Sequence, residues 1–410
     1  MSESLKKIFS YKMLIILLTG YSAGLPLLLI GSTLQAWMTN EGVDLTAIGL
    51  VSLLGLPYVF KFLWAPLLDR YQFPLLGRRR GWMFFFQILI VASIVGLSFT
   101  HPKDSITMVC FWAFMIALFS SSQDVVLDAY RREVLSDEEL GLGSSLYVNG
   151  YRLAMLVSGA FALYLADHIP WQNVYFWMAV LMAPSILFTL IAPKETLHIE
   201  APKNLKAAVI GPLKDFFSRK GAWVILLFIL LYKVGDSMAS NMTTPFILDI
   251  GYSKTDIATV AKTFGMIATM LGGLIGGMMM LKFNMRYSLT VFGILQAVST
   301  LGFSILPSMP LGFMSLAIVI AFENLASGMG TSAYSAYMAS LTNKQFTATQ
   351  YALLTALMGI PRVILASPTG WMSKHMGWEQ FFVACTLVAI PGLLLLIPVF
   401  RLEKKPVETV

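Results

Sequence analysis

Apolar runs of about twenty residues, the length that crosses a bilayer as a helix, follow one another through most of this chain. One of them, ITMVCFWAFMIALF (106–119), carries no charge at all. Of the 410 residues, 57% are hydrophobic and only 12% charged, whereas soluble domains carry about 25% charged residues. A water-soluble globule is excluded. Helices satisfy their own backbone hydrogen bonds in lipid, so the expected fold class is an all-α integral membrane protein. Twelve spans are expected, at 11–36, 46–67, 82–100, 105–127, 142–166, 172–192, 221–247, 256–281, 287–306, 312–338, 348–371 and 378–400. The first lacks a small-residue cleavage site and reads as a retained span. Alternate loops then place 21 of the 29 Lys and Arg on the side that holds both termini and 3 on the other. By the positive-inside rule both termini are cytoplasmic, in a multi-pass protein. The net charge of +7 therefore marks membrane sidedness and lipid contact, with no call for a nucleic-acid partner. Oligomeric state is unknown at this stage.

The one long connection, 193–220, divides two sets of six spans, giving an N-terminal bundle (1–192), a linker and a C-terminal bundle (221–410). Within the linker, NLKAAVIGPLKDFFSRK mixes cations and apolar residues at helical spacing, which suits a helix on the cytoplasmic membrane surface. A plain tether is the alternative. The halves resemble each other: LADHIPWQNVYF (165–176) matches MSKHMGWEQFFV (372–383), pairing His168 with His375 and Trp171 with Trp378. Two six-helix pseudo-repeats with this topology are the arrangement of the major facilitator fold, which holds substrate near mid-membrane. LGGLIGGMMM (271–280) spaces glycines four apart, allowing close helix approach.

Ionisable groups at mid-bilayer cost at least ~2.5 kcal/mol each and so are functional candidates. Lys61, Arg152, Lys233, Lys262 and Arg362 are the cations inside spans; of these Arg152, Lys233 and Arg362 come out close to mid-span, with the carboxylates Asp236 and Glu323. Gln35, Asn241 and Asn324 add neutral polar groups. Such a set suits an anionic or zwitterionic solute, with Arg gripping carboxylates bidentately and Lys offering a point charge. The same residues could instead pair among themselves. Lys262 is shallower, where snorkelling also explains it.

SSSQDVVLDAY (120–130) sets Asp124 and Asp128 one turn apart on one face of the fourth span. Burial and a like charge both favour the protonated form of a carboxylic acid, so this pair is the expected proton-coupling site. Alternatively, Asp128 reaches interfacial water and pairs with Arg131 or Arg132. LLDRYQFPLLGRRRGW (67–82) places Asp69, Arg70, Arg78 and Arg79 as a conformational charge lock, or as a topology signal alone.

SAGLPL (22–27), YVFKFLWAPLLDRY (58–71), GRRRGW (77–82), SQDVVLDA (122–129), YRLAMLVSG (151–159), LYKVGDS (231–237) and FENLASGMGTSA (322–333) together resemble the AmpG-type muropeptide permeases of Gram-negative bacteria. With GWEQFF (377–382), the likeness runs from the first span to the last. It implies proton-driven import of GlcNAc-anhydroMurNAc, with or without peptide, across the inner membrane for peptidoglycan recycling, a flux that can feed β-lactamase induction. Gln123 and Tyr151, inside these stretches, join the substrate-binding candidates. Some family members continue with a further hydrophobic pair after the twelfth span, whereas RLEKKPVETV closes this sequence; transport is expected without that pair. No cofactor is expected, the energy source being the proton gradient.

Three other readings bear comparison. Within transport, the solute could be another anion, of siderophore, peptide or acyl-coenzyme A type. Outside it, an enzyme would need a nucleophile–base set, paired metal ligands or a phosphate loop. None appears, and the four His stand scattered at 101, 168, 198 and 375. A non-transporting sensor would keep the fold yet have no use for the buried charges.

Overall fold

The computed structural model describes residues 10–43, 51–73, 76–195, 205–253, 256–310, 312–360 and 368–403. These residues are helical almost throughout; the sole β-type pairing among them is an isolated bridge between Phe73 and Gly77. The helices used below are α1 (Tyr11–Leu29), α2 (Ser32–Asn40), α3 (Leu56–Phe60), α4 (Ala65–Arg70), α5 (Arg80–Ser98), α6 (Ile106–Val134), α7 (Leu140–Leu156), α8 (Trp171–Met182) and α9 (Pro184–Ile191). After α10 (Leu205–Phe217) come α11 (Ala222–Leu231), α12 (Val234–Asp249), α13 (Gly265–Met279), α14 (Met285–Ile305), α15 (Phe313–Ser340), α16 (Thr347–Ile360), α17 (Thr369–Met376) and α18 (Trp378–Leu394).

Nine helices among the described residues are long and apolar enough to cross a membrane. The other three expected spans are not among these nine. The second, 46–67, is cut into short α and 3-10 pieces around Lys61–Leu63, where Pro57 and Pro66 withhold backbone donors. The fifth passes from α7 into a π turn at Val157–Phe161. The eleventh begins as α16 and then enters 361–367, outside the described residues.

The chain forms two compact units: residues 1–212 with 339–356, and residues 213–338 with 357–410. In the first, α1 lies along α7 at backbone contact. A Cβ on Gly20 would stand 2.0 Å from the Tyr147 carbonyl oxygen, and one on Gly150 2.0 Å from that of Leu17, so only glycine permits this crossing. In the second, α13 approaches α15 through Gly272, where a Cβ would meet the Leu325 carbonyl oxygen at 2.2 Å.

One packing of the first unit recurs in the second. α5 packs on α8 in the first, and α14 on α18 in the second. Trp37 stacks on Trp171 at 6.2 Å and tilts against Tyr175 at 5.0 Å; Phe246 meets Trp378 at 5.3 Å and Phe382 at 4.8 Å. The paired histidines behave alike too. His168 Nδ1 lies 2.8 Å from the Tyr164 carbonyl oxygen, and His375 Nδ1 lies 2.8 Å from that of Trp371. Each ring also rests on the aromatic ring four residues earlier.

Candidate functional site

Three polar clusters lie among the apolar helices. The first surrounds Asp124 in the first unit. α6 runs unbroken for 29 residues, so Asp124, Asp128 and Arg131 follow one another along one stripe at helical spacing. The broken second span turns Lys61 towards this stripe, with Nζ 3.7 Å from Asp124 Oδ2 and both side chains nearly buried. The other carboxylate oxygen, Asp124 Oδ1, is buried with no hydrogen-bond partner among the described residues. One turn before, the Tyr58 hydroxyl donates to Ser120 Oγ at 2.8 Å.

Asp128 pairs with Arg131 at 3.2 Å, while Arg132 turns to Asp137 at 2.7 Å. Arg131 in turn donates to the Tyr351 hydroxyl at 2.7 Å and lies 4.4 Å above the Tyr147 ring, a cation–π contact in a dry setting. Gln123 is fully buried and donates to Ser22 Oγ at 3.3 Å, bracing α6 against α1. Tyr151 and Arg152 lie half-buried on α7, and Gln35 half-buried on α2.

The second cluster centres on Asp69, which is fully buried. Its Oδ1 accepts from Arg78 at 3.2 Å and Arg79 at 2.7 Å. Its Oδ2 accepts from the backbone N–H and hydroxyl of Thr349, at 2.9 and 2.7 Å. Arg79 also donates through Nε and Nη2 to Glu133 Oε1, at 2.9 and 2.7 Å. Glu195 Oε1 accepts from the backbone N–H of Arg79 at 2.6 Å and of Arg80 at 3.1 Å, placing a carboxylate at the positive end of α5. Arg70 stands apart from these pairs, 5.7 Å over the Tyr71 ring.

The third cluster is built where the helix of the seventh expected span breaks between α11 and α12. Lys233 caps α12 with Asp236 in its first turn. The two side chains pair at 2.8 Å, as their spacing of three predicts. Lys233 Nζ also reaches Thr331 Oγ1 at 3.3 Å. On α15, Asn324 donates to Glu323 Oε2 at 2.9 Å and accepts from the Thr269 hydroxyl at 2.7 Å. Lys233 and Asp236 are the charges that act on Glu323. Asn241 donates to Thr369 Oγ1 at 3.0 Å. Arg362 and the side chain of Lys262 lie outside the described residues.

Lys61, Glu133, Glu195, Thr349 and Tyr351 join these clusters without having been expected as site residues. Lys61 had a signal, as a cation inside a span. The others act through partners dozens to hundreds of residues away, which a single sequence does not encode locally.

An ion pair buried beside an unpaired carboxylate oxygen can take and release a proton; an ammonium between carboxylates can receive an anionic group. Ionisable clusters inside membrane helices mark substrate and ion pathways and proton relays. The sequence matches the Major Facilitator Superfamily over residues 13–366. It is 45% identical to the anhydromuropeptide permease of Escherichia coli (strain K12), covering 97% of this chain and 82% of that protein.

The chain belongs to the major facilitator superfamily, within the family of the anhydromuropeptide permeases.

An uncharacterized protein of Haemophilus influenzae belongs beside it, 42% identical over the whole of this chain and 99% of its own. Among solved structures, the E. coli fucose:proton symporter superposes with a TM-score of 0.72 at 11% identity, covering 98% of this chain and all of that one. At that identity the likeness speaks for the fold alone. The major facilitator fold expected from the repeats is thus the fold found, in a transporter family.

Proposed function

We propose that this permease imports anhydro-muropeptides, GlcNAc-anhydroMurNAc with or without a peptide stem, from periplasm to cytoplasm by proton symport across a bacterial inner membrane. The substrate class rests on the 45% identity to the E. coli permease across 97% of the chain. The coupling step rests on one observation: Asp124 sits nearly buried against Lys61 with a second oxygen left unpaired among the described residues. Protonation of Asp124 frees Lys61, and loss of the proton restores the pair, so the proton state decides the local charge balance. Asp128 is secured by Arg131 and serves next to it as part of the same stripe.

In the second unit, Lys233 holds the carboxylate of the cargo, while Asp236, Glu323 and Asn324 receive its hydroxyl and amide hydrogens. Asn241 and Arg362 are further candidates of the same unit in this reading, and Gln35, Gln123, Tyr151 and Arg152 are the substrate-binding candidates of the first unit. The Asp69–Arg78–Arg79–Glu133 network acts as a conformational lock, and both termini with the linker 193–220 face the cytoplasm, between bundles 1–192 and 221–410.

Purified protein in liposomes tests this. Labelled GlcNAc-anhydroMurNAc is expected to accumulate against its gradient under an inward proton gradient. Asp124→Asn is expected to abolish that accumulation while leaving the protein folded. Uphill uptake that persists in this variant contradicts the coupling role.

A further inference from the structure

The second unit holds a small internal space of about 10 Å³, lined by Asp236, Gln296 and Thr300 together with Tyr232, Gly235 and Cys385. That volume admits one water molecule. Two of these residues carry buried polar atoms with no hydrogen-bond partner among the described residues: Asp236 Oδ1, an acceptor, and Gln296 Nε2, a donor. Their remaining polar ends are engaged or fixed. Asp236 Oδ2 holds Lys233 at 2.8 Å. Gln296 Oε1 lies where a Cβ on Gly330 would approach to 2.7 Å, so glycine at 330 makes room for it. The Tyr232 hydroxyl donates to the Leu289 carbonyl at 2.9 Å, and the Thr300 hydroxyl to the Gln296 carbonyl at 3.1 Å, which leaves Thr300 Oγ1 able to accept.

We infer that one buried water bridges Asp236 and Gln296, and that through it Gln296 is a positioning residue for the Lys233–Asp236 pair. The water accepts from Gln296 Nε2 and donates to Asp236 Oδ1, with Thr300 Oγ1 available for its second hydrogen. A carboxylate tied at both oxygens keeps one rotamer. The Lys233 ammonium is thereby held at a fixed place on α12 instead of following a swinging partner. This part of the inference rests on the proposed role of Lys233 in holding cargo; the water itself does not.

Two measurements separate these layers. The first needs no substrate: a double-mutant cycle on the detergent-purified protein, read by thermal unfolding. Gln296→Met removes the donor at similar volume and is expected to lower the midpoint, an effect largely absent when Asp236 is already Ala. Gln296→Asn, which keeps an amide donor, is expected to lose less. Additive shifts overturn the bridge. Should Gln296→Met not purify, Gln296→Ala, which also removes the donor, carries the cycle.

The second is uptake of labelled GlcNAc-anhydroMurNAc into liposomes, where Gln296→Met is expected to raise KM about tenfold, the effect of losing one hydrogen bond to a charged group, with kcat little changed. An unchanged KM overturns the positioning role. Uptake should be the same with choline in place of sodium. A sodium requirement lost in Gln296→Met would put a cation there and overturn the water. Absence of uptake by the unsubstituted protein would instead count against the cargo, while the cycle still decides the bridge.

Discussion

Lys61 and Asp124 illustrate why a buried ion pair is best understood by removing one partner at a time. Lys61→Met leaves the Asp124 carboxylate buried without its cation, a change that costs about 3 kcal/mol when the surroundings stay dry. The double variant Lys61→Met/Asp124→Asn is expected to recover most of that stability. A double variant no more stable than Lys61→Met in thermal unfolding would mean the pair is not coupled. Glu139 gives a contrasting case outside the spans. Its partial burial favours the neutral acid, but the Ser136 backbone N–H at 3.0 Å and Lys12 at 2.9 Å prevail, holding its pKa below the usual 4.5. A depressed pKa contributes stability above the unfolded value that is lost as pH falls through the folded one. Glu139→Gln is therefore expected to remove a small part of the stability loss seen below about pH 4.5, measured as the pH dependence of the unfolding midpoint. The site was partly legible at this scale. The Lys233–Asp236 pair follows from a spacing of three on one helix, and the Asp128–Arg131 pair from a spacing of three on another. The Lys61–Asp124 pair does not follow from any spacing, because its members lie on different spans and one of those spans is broken.

Helices in this protein meet at two kinds of surface. Apolar ridges fill the interiors, as where Trp37, Trp171 and Tyr175 stack. Glycines bring backbones together, as where α1 crosses α7 and α13 crosses α15. Gly20→Ala would push a methyl group to 2.0 Å from the Tyr147 carbonyl oxygen. Since backbone lies on both sides, the helices must separate, and a loss of about 3 kcal/mol or more is expected, seen as a lower unfolding midpoint. At Gly42 an added Cβ would meet nothing within 4 Å, but φ is +73°, so Gly42→Ala should lose only the modest cost of backbone strain. The glycine spacing 272–276 was readable as a close-contact motif and the same spacing recurs at Gly20 and Gly24, whereas Gly150 has no glycine four residues away and was found only through its neighbours. The interruptions at Lys61–Leu63 and Val157–Phe161 were likewise hidden from a count of apolar residues, because hydropathy registers how oily a segment is and not whether its hydrogen-bond ladder is continuous.

At the scale of the molecule, the Asp69 network joins α4, α5, α6 and the start of α16 within one unit. Arg79→Ala would leave Asp69 and Glu133 buried without the guanidinium they share, and a cost of about 3–5 kcal/mol is expected. If the network is a lock, milder Thr349→Val, which removes only the hydroxyl's hydrogen bond to Asp69, should change the transport rate in liposomes more than the unfolding midpoint. Equal effects on both would leave it a purely structural tie. The amino-acid sequence by itself determined the membrane setting, the order of apolar segments, the internal repeat and the family, because each depends on composition and spacing along one dimension. Which carboxylate meets which cation, where a helix breaks, and which glycines touch backbone were decided by tertiary structure alone. Those outcomes depend on distances of a few ångströms between segments far apart in the chain, and they are fixed only when all the helices pack at once.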